Sequence, residues 1–199
     1  YEGANDLWRD GLDGDDWMEF LIQSILSAGR SGVPVLVLHA ARGTTPPPLS
    51  QIGFTRFQRL NDAAEQANVV LAIENLHSLA YGMAVLDALG TPFVRACYDA
   101  GHHNCYGQGD AFLDRFGARL TAIHLHDNDG RHDQHLLPFT GTIDWTAEMA
   151  RIKKTAYRGP ITLELGGTPE LPMEEHLLAA SAAADRLIAL WEAAETDSI

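Results

Sequence analysis

Five short apolar runs, spaced by stretches of helical periodicity, constrain this chain more than any other feature. Residues 33–39 (VPVLVLH) form an almost continuous β-branched and leucine run, the pattern of a strand buried on both faces. Residues 69–74 (VVLAIE), 93–99 (FVRACYD), 120–126 (LTAIHLH) and 161–165 (ITLEL) repeat it. Between and after them, apolar spacing predicts helices over 51–66, 81–89, 110–116, 145–154 and 174–194. An earlier helix is expected from Trp17, Phe20, Leu21, Ile25 and Leu26, capped by Asp15 or Asp16 and ending near Gly29 or Gly32, with 1–16 as a loop. Strands alternating with helices imply a parallel sheet. Each run carries a polar residue at or near its carboxyl end: His39, Glu74, Asp99, His124 or His126, and Glu164. In parallel barrels and open α/β sheets, catalytic groups collect at these carboxyl ends.

The densest chemistry lies in residues 121–145, TAIHLHDNDGRHDQHLLPFTGTIDW. A period of two puts His124 and His126 on one face of a strand, and Asp127, Asn128, Asp129 and Gly130 then form a loop. Two unpaired imidazoles do not suit an apolar interior, so a metal ion is expected to meet them. A length of 199 residues with 46% hydrophobic content suffices for one core, read as a single domain over 1–199. The absence of a long uncharged apolar run points to a soluble, cytoplasmic chain without a membrane partner. Cys97 and Cys105 are too few for a disulfide framework, and neither is read as a nucleophile. A net charge of −13 repels polyanions, so nucleic acid is not an expected partner unless bound metal neutralises the site locally.

The motifs IENL (73–76), YDAGH (98–102), HLHDNDGRHDQHLLPFTGTIDW (124–145) and LELGG (163–167), with the loop PPPLSQIGFTRFQRL (46–60), resemble the xylose isomerase-like TIM-barrel superfamily. Within it the chain looks like the sugar phosphate isomerase/epimerase group, which shares its barrel with endonuclease IV. The resemblance implies a (β/α)8 barrel, here lacking the first three βα units and so a partial barrel. It implies a divalent metal held by Glu74, Asp99, His124 and Glu164, with His124 favoured over His126 by the HxxD pattern. His39, His102, Asp133, His135 and His126 are implied as additional ligands. His102 matches an Asp-x-x-His element that contacts substrate or a second metal.

An oxygen-rich site with one imidazole suits Mn²⁺, Mg²⁺, Co²⁺ or Zn²⁺. The expected reaction is sugar or sugar phosphate isomerisation or epimerisation through a metal-stabilised enediolate, with Glu74 and Glu164 as acid and base. His102 and Arg131 would hold the sugar's oxygens, and Trp8 could line its pocket. Clustered surplus ligands suggest, alternatively, endonuclease IV-like hydrolysis of a phosphodiester by several metals. A third reading is a metal-binding barrel remnant without turnover. Helices 174–194 and 51–66 are the surfaces left for a homodimer. His77, His103, His132 and His176 are expected to face solvent, and Asp144 to cap the helix that starts at Trp145.

Overall fold

In the computed structural model, which describes residues 2–107, 109–166 and 172–194, the chain segregates into two units, Tyr1–Cys97 and Tyr98–Ile199. The first is built on parallel strands β1 (Val35–Leu38), β2 (Val70–Glu74) and the greater part of β3 (Val94–Asp99). The register pairs Leu38 with Ile73 and Glu74 with Cys97. Helix α1 (Leu12–Arg30) precedes β1, and α2 (Gln51–Ala67) and α3 (Leu79–Ala88) connect the successive strands in sequence. Ser50 starts α2 by accepting the Gly53 N–H at 3.2 Å, and Asn68 ends it in the left-handed region at φ 52°.

The start of the chain departs from the expected loop. Residues Glu2–Trp8 form a 3₁₀ helix, and α1 begins at Leu12, ahead of the expected caps Asp15 and Asp16. Gly11 precedes it at φ 129°, a conformation that L side chains rarely adopt, and Asp13 and Asp15 then meet the positive end of the helix dipole. A buried cation fixes this turn. The Arg56 guanidinium of α2, 2% exposed, donates to the carbonyls of Asp6, Leu7, Arg9 and Gly11 and to the Asp15 carboxylate. Trp8, expected to line a sugar pocket, belongs instead to the core of this unit. It is 2% exposed, its indole N–H donates to the Ala40 carbonyl, and its ring packs edge-on against Phe54 and Tyr81, both at 5.3 Å.

The second unit opens on the last two residues of β3. It continues through α4 (Ala100–Tyr106), α5 (Gly109–Phe116), β4 (Leu120–His124), α6 (Trp145–Lys153) and α7 (Met173–Ala193). Helix α4 was not expected from apolar spacing, because what starts it is a single side chain: Asp99 ends the strand and accepts the His102 N–H at 2.6 Å. The fifth run, 161–165, was expected as a strand and is reduced to one parallel bridge, Leu125 to Leu163. Pro160 supplies no N–H before it, and His135 takes the Gly166 N–H and the Glu164 carbonyl after it. Tyr98, Phe112, Ile123, Leu125, Met149 and Leu187 form the buried centre. The remaining helices and strands fall within about two residues of their expected bounds. No described helix is long and apolar enough to cross a membrane.

Candidate metal centre

In the second unit, three segments deliver histidines and carboxylates to one place. Asp99 arrives from the end of β3 and is fully buried. His124 arrives from the end of β4, with Nδ1 2.8 Å from Glu164 Oε2 and 4.0 Å from Asp99 Oδ2. One ligand atom each from Asp99, His124 and Glu164 lies within 4.8 Å of the other two. His126, two residues beyond His124, faces the same carboxylate as the period of two requires, with Nε2 3.2 Å from Asp99 Oδ1.

A second constellation shares this wall. Asp99, His102 and His126 offer ligand atoms within 4.8 Å of one another, and so do His126, Asp133 and His135. Asp133 lies 3.2 Å from His102, 3.5 Å from His126 and 3.4 Å from His135. The rings of His126 and His135 stack at 4.0 Å and 13°. The space is kept by Gly101, where an added Cβ would fall 1.9 Å from His126 Cε1. His126 is 0% exposed, and its Nε2 is close to two carboxylates without being aligned for a hydrogen bond to any described residue. A buried imidazole nitrogen aimed at carboxylates, in a set of oxygen and nitrogen donors, fits a divalent cation.

The electrostatics follow from these pairs. Burial alone would push Asp133 up, but hydrogen bonds from His102 and His135 hold its carboxyl well below the usual range. The hydrogen bond to Asp133 raises His135 to about 9, against the effect of burial, and the Glu164 carbonyl adds to the rise by accepting from Nδ1 at 2.9 Å. Burial, then the nearby Asp133 and Asp129, pushes the Cys105 thiol up to about 11, the reverse of what a nucleophile needs.

In the first unit, His39 and Glu74 stand at the carboxyl ends of β1 and β2, with His39 Nε2 2.8 Å from Glu74 Oε2. Arg131 is exposed on the loop after β4. Four expectations about bystanders divide. His77 and His132 are exposed. His103, expected in solvent, sits 2.6 Å from the Tyr98 hydroxyl, which donates to the buried Glu148. His176 on α7 is buried at 8% exposure. Asp127, the aspartate of the HxxD pattern that starts at His124, reads by composition as one loop former among four, yet it is completely buried.

The family model described as xylose isomerase-like TIM barrel matches residues 7–187. Over 199 aligned residues the chain is 31% identical to the uncharacterized protein y4fM of Sinorhizobium fredii, an alignment covering 89% of this chain. It spans 61% of the length of that relative. Among solved structures, the D-allulose 3-epimerase from Methylomonas sp. is similar with a TM-score of 0.72 and 22% identity over 95% of this chain and 73% of its own. The D-psicose 3-epimerase from Clostridium cellulolyticum H10, solved with D-tagatose, gives a TM-score of 0.75 and 14% identity over 95% of this chain and 75% of its own.

Proposed function

Because the chain belongs to the xylose isomerase-like TIM-barrel family, we propose that it is a metal-dependent isomerase or epimerase of a sugar or sugar phosphate, working by proton transfer through an enediolate. The observation that carries this reading is the convergence of Asp99 and His124, at the ends of β3 and β4, with Glu164, next to the Leu125–Leu163 bridge, His124 Nδ1 lying 2.8 Å from Glu164 Oε2. The resemblance adds Glu74, at the carboxyl end of β2, as fourth ligand. When bound, Mn²⁺, Mg²⁺, Co²⁺ or Zn²⁺ polarises a ketose carbonyl and makes the neighbouring C–H acidic. Glu164 and Glu74 then remove a proton from one face and return it to the other, a contribution of about 10² to 10⁴-fold. His102 and Arg131 hold the substrate's oxygens.

The test is deuterium exchange in D₂O. Protein loaded with Mn²⁺ or Co²⁺ is given D-allulose, D-tagatose and phosphorylated ketoses. Deuterium is expected at the carbon beside the carbonyl of at least one sugar, and Glu164→Gln should abolish it. Absence of exchange with every sugar, under full metal loading, would reject the reading.

One observation favours a second reading. The groups Asp99–His102–His126 and His126–Asp133–His135 offer places for a further ion next to the first. Two or more ions bound together with cleavage of an abasic-site oligonucleotide would assign phosphodiester hydrolysis instead.

A further inference from the structure

We infer that Asp127 is the positioning residue of this centre: its carboxylate holds in place the loop that carries Asp133 and His135. The inference rests on the reading of the centre as a cation site. Asp127 is 0% exposed and follows His126 directly. Its Oδ1 accepts the N–H groups of Asn128 at 2.9 Å and Ile143 at 3.1 Å. Its Oδ2 accepts the Phe139 N–H and the Trp145 indole N–H, both at 2.9 Å. The backbone adds a two-way bridge, Asp127 N–H to Leu136 carbonyl at 2.8 Å and Leu136 N–H to Asp127 carbonyl at 2.9 Å.

These bonds define a closed excursion. The chain leaves the strand at Asp127 and returns beside it at Leu136, and the residues just before the return are Asp133 and His135. The carboxylate clamps three further points on the way into α6. From the return point the constraint passes to the ligands. His135 donates through Nδ1 to the Glu164 carbonyl, and its own carbonyl accepts the Gly166 N–H at 2.9 Å, so the loop also pins the segment that carries Glu164. Two non-glycine residues of this loop, His135 at φ 50° and Phe139 at φ 74°, occupy the left-handed region, which needs an external restraint to persist. A carboxylate offers four acceptor positions and no donor, matching four N–H groups. An amide in its place would turn an NH₂ toward at least one of them. Groups that orient metal ligands in this way are worth about 10 to 100-fold in metal affinity.

The experiment is a Co²⁺ titration of chelator-stripped protein, read from the visible absorption that protein ligands confer on the ion, on wild type, Asp127→Asn, Trp145→Phe and Asp144→Ala. Asp144 caps the same helix α6 through Thr146 and Ala147, both at 3.1 Å, and touches none of the Asp127 bonds. Asp127→Asn is expected to bind Co²⁺ about 10 to 100-fold more weakly. Trp145→Phe, which removes one donor, should lose less, and Asp144→Ala should bind as wild type. Unchanged affinity in Asp127→Asn, or an equal loss in Asp144→Ala, overturns the inference while leaving the proposed function standing. If Asp127→Asn does not fold, Trp145→Phe decides alone: unchanged affinity overturns the inference. Wild type that takes up no Co²⁺ overturns both.

Discussion

His135, on the loop after β4, is held at both ring nitrogens and stacked on His126. One ring nitrogen faces the Glu164 carbonyl and the other faces Asp133, so the charged imidazolium is favoured and its pKa rises from 6.5 to about 9. A group whose folded pKa lies above its unfolded value adds stability that is complete below about 6.5 and is lost as pH climbs through about 9. Metal-free protein is therefore expected to melt at progressively lower temperature between pH 6.5 and 9. His135→Asn should flatten that slope, and an unchanged slope in thermal scans of the variant would show that another group is responsible. Asp133 acts in the opposite direction, since a lowered carboxyl adds stability that is lost only in acid. Little of this was visible in the order of residues. The family resemblance implied Asp133 and His135 as additional ligands, but a motif does not say which nitrogen meets which carboxylate. Asp127 looked like any turn aspartate, because burial depends on what folds over it.

At the scale of elements, periodicity was a sound guide wherever apolar spacing made the element and a poor one wherever a single polar contact did. Helices α2, α6 and α7 begin and end near their expected positions because their apolar faces and caps are written locally, Ser50 and Asp144 among them. Helix α4 depends on Asp99 acting as cap and strand end at once, and the 3₁₀ turn before α1 depends on Arg56, distant in sequence. Arg56→Met should accordingly cost about 2–4 kcal/mol, since it leaves several buried carbonyls without a donor. Chemical denaturation measures this, and a loss within about 0.5 kcal/mol, the range of an ordinary surface change, would show that water replaces the guanidinium. The expected fifth strand failed for a related reason: hydrogen-bonding groups after Leu163 are claimed by His135, a competitor that a strand pattern cannot reveal.

For the whole molecule, charge sets the partner question. A net charge of −13 opposes association with nucleic acid unless bound cations compensate it locally. Metal-free protein is expected not to retard an abasic-site duplex in a gel at about 0.15 M salt, a condition where exposed charges are screened beyond about 8 Å. Retardation without metal would favour the hydrolase reading over the sugar one. What the sequence by itself determined is the alternation of strands and helices, the family, and the polar residue at the end of each strand, because periods of two and 3.6 and short motifs are local properties. Only the tertiary structure decided that Trp8 is core, that His103 meets the Tyr98 hydroxyl and His176 is buried, that His126 stacks on His135, and that Asp127 holds the loop. Those facts arise from which distant segments exclude water together, and no local pattern of residues encodes that.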